Sequence, residues 1–282
     1  AHSFGEKDML GVLVYRLRVE TGGHFTMFPG RLLHGALFHY LSEHSAELSA
    51  DFHARQSKPF TIGCLQRADH QRAPSTNAEK TFNNPAFSAG ENVLLRVTAL
   101  DDAALMALTD MPCGTRLQVG KLAFSLVEVL ADGRMETGAA APDELAASAL
   151  SMERARGVRL RFRSPTLFRA DGHDYAFPQP ERIFASLADK WTQQELPAVI
   201  HKDAARIAAA KLVPLAWHGE SLRVRLTAQK SVPAFIGDFS FSLAELSEEE
   251  REIILLLTQF APFCGTGRMT AQGMGETYVS IS

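Results

Sequence analysis

Cysteine is scarce in this chain: Cys64, Cys113 and Cys264 are the only three among 282 residues. They stand far apart, so they make no metal-ligand spacing and suggest no disulfide framework; a reducing, cytoplasmic setting is expected. A strong charge of either sign is also missing. The balance is 29 basic against 32 acidic residues, a net -3. A protein held to a polyanion by bulk charge would be more basic, so any phosphate-binding surface must be local. No apolar run approaches the roughly 20 residues of a membrane-spanning helix, and no membrane association is expected. The opening residues Ala1-His2-Ser3-Phe4-Gly5 carry no hydrophobic signal core and read as processed or added sequence. What is abundant is apolar material, 46% of the chain, enough for one large core or two modest ones.

Hydrophobic periodicity orders that material. Residues 12–19 alternate as a strand, with Leu13, Tyr15, Leu17 and Val19 on one face and Val14, Arg16 and Arg18 on the other. Residues 29–46 follow with helical spacing from Pro29. Strands are expected at 60–66 and 92–99, a long polar loop at 68–91, a helix at 102–109 capped by Asp101 or Asp102, and one long strand or bent hairpin at 115–131. In the second half, 158–163 alternates strictly. Helices are expected at 180–196 and 201–210, strands at 221–229 and 238–243, a helix at 248–260 opened by the capping box Ser247/Glu250, and a last strand at 276–281. Strand, helix, strand, strand, helix, strand, repeated loosely, predicts an α+β protein of two tandem ferredoxin-like (βαββαβ) domains, similar to RNA-recognition motifs. The expected bounds are 8–134 and 155–282, with 135–154 as a linker.

Three strands carry arginine on alternate positions: Arg16 and Arg18; Arg159, Arg161 and Arg163; Arg223 and Arg225. The stretch 156–169 contains no acidic residue. Such a face is either an ordinary solvated sheet surface or a surface that contacts phosphates. Arg31, Arg55 and Lys230 extend the candidate contacts.

Residues 264–275 read CGTGRMTAQGMG and fall between a helix and a strand. Gly265, Gly267, Gly273 and Gly275 permit positive φ and close backbone approach, and their N–H groups can line an anion-binding concavity. Arg268 adds a guanidinium fork, and Thr270 and Gln272 can reach sugar or base edges. The segment is neither a dinucleotide fingerprint nor a Gly-Lys-Ser/Thr phosphate loop. The alternative is a glycine-rich turn with a purely structural role.

These residues carry a resemblance. The segment FCGTGRMTAQGMG, together with SPTLF at 164–168, IFASLADKW at 183–191, PAFIGDFSF at 233–241 and the run from Pro29 to Leu65, resembles the CRISPR-associated endoribonucleases that cut precursor CRISPR RNA within its repeats. The resemblance implies tandem ferredoxin-like domains and a metal-independent reaction without cofactors. In it the RNA's own 2′-hydroxyl attacks the neighbouring phosphate, leaving a 2′,3′-cyclic phosphate and a 5′-hydroxyl. It implies precursor RNA and mature guide RNA as partners, with retention of the guide, docking to a CRISPR interference complex and a homodimer as further options. The wider superfamily also holds subunits that bind repeat RNA without cutting it, which stands as the alternative function.

Internal transesterification needs a base for the 2′-hydroxyl, an acid for the 5′-oxygen and a cation for the phosphate. The resemblance carries base or acid duty onto His53 and phosphate stabilisation onto Lys58. Where some members have a catalytic tyrosine this chain has Phe38, which has no proton to exchange; Tyr40, His39 or His34 are the candidates to replace it. The pairs His39/Glu43 and Tyr40/His44 stand at i,i+4, but without cysteine partners or an H-E-x-x-H motif no metal site is expected.

Overall fold

The computed structural model describes residues 9–68 and 81–282. The opening residues and half of the loop expected at 68–91 lie outside them.

The first half is built around β1 (Leu10–Thr21). It continues through α1 (Gly30–His44), α2 (Ala46–Ala54), β2 (Phe60–Ile62), β3 (Asn92–Ala99), α3 (Asp102–Thr109), β4 (Arg116–Val119) and β5 (Leu122–Leu130). The strands run β2-β3-β1-β5-β4, with antiparallel neighbours throughout. Leu13, Tyr15, Leu17 and Val19 join Leu33, Leu37 and Leu41 of α1 in one core, so the alternation in β1 chooses the helix-covered face. Arg16 and Arg18 point to the other face, where Val14 packs with Leu94 and Leu130. Asp101 caps α3 through Ala104 N at 2.7 Å.

The single helix expected over 29–46 ends at His44, because Ser45 is extended and its Oγ caps a second helix through Leu48 N. The stretch 132–150 is also more structured than its composition suggests. It forms β6 (Gly138–Ala140), which pairs with the start of β1, and α4 (Pro142–Ser151).

The second half runs β7 (Gly157–Thr166), the hairpin β8 (Phe168–Ala170) and β9 (His173–Tyr175), α5 (Pro180–Gln193), α6 (Lys202–Ala210), β10 (Val213–Arg225), β11 (Ser231–Ser242), α7 (Glu248–Cys264) and β12 (Thr277–Ile281). Its sheet order is β10-β11-β7-β12. In both halves the two outer-connected strands flank a central antiparallel pair, the ferredoxin-like arrangement. Val158, Leu160 and Phe162 meet Ile183, Leu187, Trp191 and Phe260 in the second core. Strand β10 begins at Val213, well before the expected 221, because its first part lies on the sheet edge with Val213, Leu215 and Trp217 exposed and shows no buried alternation.

A third apolar cluster forms the seam between the halves. Phe28, Cys64 and Phe82 from the first pack with Leu167, Leu222, Val224, Val232 and Met274 from the second. Polar ties reinforce it: Phe28 N donates to Arg225 O at 2.8 Å, and buried Arg96 donates to Pro262 O at 3.1 Å. No helix among the described residues is long and apolar enough to cross a membrane.

Candidate active site

His34 stands one turn into α1, half-buried. Its Nδ1 lies 2.9 Å from Ala271 O in the glycine-rich segment. A carbonyl only accepts, so Nδ1 carries the proton and Nε2 of the neutral ring keeps a lone pair. The His34 ring is 4.7 Å from Phe38 and 5.8 Å from Phe60. Phe38 in turn meets His53 edge-on at 5.8 Å. Phe38 is therefore an apolar surface in contact with both histidines.

His53 is exposed in the last turn of α2. Lys58 Nζ donates to His53 O at 2.9 Å and to Arg55 O at 2.5 Å, so its ammonium is held at the negative end of that helix. Burial pushes His34 below the ordinary histidine range; the Ala271 hydrogen bond opposes this, and the charges of Lys58 and His53 add to it. A neutral His34 at pH 7 is a base with its Nε2 available.

His39 and Tyr40 lie apart from this group. His39 is exposed and faces Glu43 at 3.5 Å. Tyr40 is buried in the core with its ring 4.2 Å from His44, and its phenol is pushed up chiefly by that burial. Both line a separate pocket with Thr115 and Arg116. Helical geometry explains the division: His34 and Phe38, four residues apart, share a face, and their near neighbours do not.

The glycine-rich segment is folded into the protein rather than held open. Gly265 N donates to Ala261 O, Gly267 N to Ser186 Oγ at 3.1 Å and Gly275 N to Pro165 O at 3.0 Å. These N–H groups, expected to line an anion cradle, are spent on the fold. The glycines serve backbone-to-backbone approach instead. Gly267 and Gly275 have φ of +76° and +72°, and a Cβ there would lie 2.3 Å from Leu167 O and 2.0 Å from Thr266 O. Thr270 Oγ1 accepts from Lys190 rather than facing outward. The partly exposed rim left by this folding is Arg268 to Gln272.

The segment also touches the first half directly. Besides Ala271 on His34, Gly273 O accepts from Cys64 Sγ at 3.4 Å, and Cys64 N donates to Glu276 Oε2 at 3.2 Å. Glu276 is buried; its carboxyl is pushed up chiefly by burial and held down by Arg96 and by the Tyr278 hydroxyl.

Several sequence-predicted arginines have acidic partners from distant parts of the chain. Arg16 pairs with Glu128 at 2.9 Å, Arg159 with Asp238 at 3.2 Å, Arg161 with Glu136 at 3.2 Å and Arg268 with Asp174 at 2.9 Å. Arg55 is held by Asp51 and Asp101. Arg163 is half-buried in β7, its N–H donating to Glu276 O. Arg18, Arg31, Arg223, Arg225 and Lys230 have exposed positions. Arg223 and Arg225 sit where β10 meets Phe82 and Phe28, and Phe28 packs on Gly273, so that end of the hairpin adjoins the glycine-rich rim.

Sequence reasoning missed Ser186, Lys190 and Gln194. Gln194 Nε2 reaches Ser57 Oγ at 2.9 Å and so ties α5 to the turn carrying Lys58. In the sequence these three are polar positions of an amphipathic helix; Ser186 and Lys190 fall inside the family-like segment 183–191, but helical periodicity alone gives them no role.

Comparison with known proteins adds the family. The model "CRISPR Cas6 N-terminal domain" matches residues 13–120, and "CRISPR-associated endoribonuclease Cas6" matches 160–277. No curated protein matches significantly in sequence. Among solved structures, a Cas6 product complex is 27% identical with a TM-score of 0.71, covering 96% of this chain and 99% of that one. Thermus thermophilus Cas6 is 24% identical with a TM-score of 0.68, covering 98% and 100%. A Cas6 bound to a substrate mimic, 22% identical, shares the fold with a TM-score of 0.69, covering 96% and 99%.

Proposed function

Because the chain belongs to the family of CRISPR-associated Cas6 endoribonucleases, we propose that it cuts CRISPR precursor RNA within its repeats by attack of the RNA's own 2′-hydroxyl, with His34, His53 and Lys58 as the catalytic group. The observation that carries this reading is the arrangement around Phe38: two histidines in contact with its ring, one anchored to the glycine-rich segment, with a lysine beside the other.

In the proposed reaction His34 Nε2 takes the 2′-hydroxyl proton as the 2′-oxygen bonds to phosphorus. The bond from phosphorus to the 5′-oxygen breaks, and protonated His53 supplies the proton to that oxygen. The Lys58 ammonium meets the charge on the phosphate. Phe38 offers no proton and packs against both rings. The products are a 2′,3′-cyclic phosphate and a 5′-hydroxyl, and the charges balance without a co-reactant.

RNA is gripped, in this reading, by the partly exposed rim Arg268 to Gln272, by Arg223, Arg225 and Lys230 on the adjoining hairpin, and by Arg31 at the start of α1. The experiment is incubation with a labelled cognate repeat in excess EDTA. A cyclic end from the ribose substrate and no product from one with a 2′-deoxy nucleotide at the cut are expected. Product from the deoxy substrate overturns the mechanism, and tight binding without product supports the non-cleaving subunit.

Arg268 gives a separate expectation. Arg268→Ala lowers RNA affinity and reduces the salt slope by about one. Because Asp174 competes with phosphate for the same guanidinium, Asp174→Ala tightens binding. Affinities measured across a salt series check both; unchanged values in the pair remove Arg268 from the interface.

A further inference from the structure

Helix α5 grips the glycine-rich segment from behind with two side chains one turn apart. Ser186 Oγ accepts from Gly267 N at 3.1 Å. Lys190 Nζ donates to Cys264 O at 3.0 Å, Gly265 O at 3.0 Å and Thr270 Oγ1 at 3.2 Å. Spacing of four residues puts both on one helix face.

Cys264 and Gly265 are the last residue and C-cap of α7, whose carbonyls have no partner within the helix. Thr270 opens the short 3-10 turn that ends at Gln272. One ammonium thus ties the start of the segment to its middle and uses all three of its N–H groups. The residue after Thr270 is Ala271, whose carbonyl holds His34, and the next is Gln272, whose carbonyl lies against Gly30 of α1.

Among the described residues no carboxylate accompanies these three acceptors. The neighbouring Asp189 pairs with Lys202 at 2.6 Å. Seating a charge among neutral oxygens costs desolvation energy that an apolar side chain would avoid. The structure therefore calls for a role that only the ammonium fills.

We infer that Lys190 is a positioning residue for RNA cleavage: it staples the glycine-rich segment into the shape that presents Ala271 to His34, and it sets a positive charge beneath the RNA-facing rim. This rests on the function proposed above.

Burial pushes the Lys190 ammonium down to about 8. The Cys264 thiol beside it is pushed up to about 12 and stays neutral. The other charged groups around it are Glu181, Arg182 and Asp189 on its own helix, Arg268 of the segment, and Arg169, Lys202 and Arg206 across the adjoining cavity. Loss of the proton leaves two N–H groups for three acceptors and removes the charge. RNA affinity is then expected to fall several-fold as pH rises from 7 to 9.

The test compares wild type with Lys190→Met. Hydrogen exchange of peptides covering 264–275, measured without RNA, is expected to rise in the variant while peptides of β7 keep their protection. At saturating RNA, kcat falls about 10- to 100-fold, and the alkaline fall in affinity disappears. Wild-type exchange in 264–275 or an unchanged kcat overturns the proposal. Should Lys190→Met fail to fold, Thr270→Val removes one acceptor and is read the same way: faster exchange at 270–272 with lower kcat supports the staple, and no change overturns it. A wild-type protein that binds no repeat RNA overturns the functional reading, whereas exchange in the RNA-free protein judges the staple independently.

Discussion

Replacing His34 with alanine slows cleavage of repeat RNA by about 10²–10⁴-fold at pH 7, the usual loss for a general base, while RNA affinity stays within a few-fold of wild type. The tautomer makes the case. With Nδ1–H committed to Ala271 O, only Nε2 can take the 2′-hydroxyl proton. His34→Gln separates chemistry from support, because its amide can still donate to Ala271 but has no basic nitrogen. It is expected to be as slow as His34→Ala. If the glutamine variant cuts like wild type, His34 only props the segment and the base must be sought elsewhere.

The pH dependence follows from burial. His34 is held below the ordinary 6.5 in the RNA-free protein, so the acid limb of kcat/KM falls at a pH below 6.5 as the base becomes protonated. The same shift makes folding less favourable as pH drops through that window, because the unfolded chain binds the proton first. An acid limb centred above 6.5 counts against His34 as the base.

Much of the fold was readable because its signals are local. Alternation in β1 and β7 chose the buried face, and Asp101 and Ser247 marked helix starts that the structure keeps. The candidate site was readable only as residue types. His34 and Ala271 are 237 positions apart, and no periodicity connects them. The arginine faces show the same limit. The run 156–169 has no acid of its own, but Asp238 reaches Arg159 from β11 and Glu136 reaches Arg161 from the connection between the halves. Charge balance on a sheet face is set by strand neighbours, not by sequence neighbours. The glycine-rich segment is the sharpest case. Composition suggested N–H groups open to an anion, whereas packing against Leu167 and Thr266 accounts for Gly267 and Gly275. The segment then acts as a shaped wall, and its contact with His34 joins the parts proposed to hold and to cut RNA.

Gly30→Ala is expected to be a strongly damaging single methyl in that site. Gly30 is the first residue of α1, and a Cβ there would lie 1.7 Å from Gln272 O and 2.9 Å from the Phe28 ring. Neither the helix backbone nor the Gln272 carbonyl can yield like a flexible side chain, so α1 and the glycine-rich segment must separate. Overpacking of this kind costs about 1–3 kcal/mol of stability. Catalysis is more sensitive, because a shift of about 1 Å in a positioned base costs on the order of 10²-fold, and His34 rides on the helix that has to move. Gly35, in the same helix, supplies the control: nothing lies within 4 Å of its Cβ position. Gly35→Ala therefore gains about 0.5–1 kcal/mol from helix propensity without touching the segment. Thermal unfolding and single-turnover cleavage of the two variants check the contrast. Opposite shifts in stability with a rate loss confined to Gly30→Ala are expected; equal cleavage by the two would mean that the α1 contact with Gln272 does not set the position of His34.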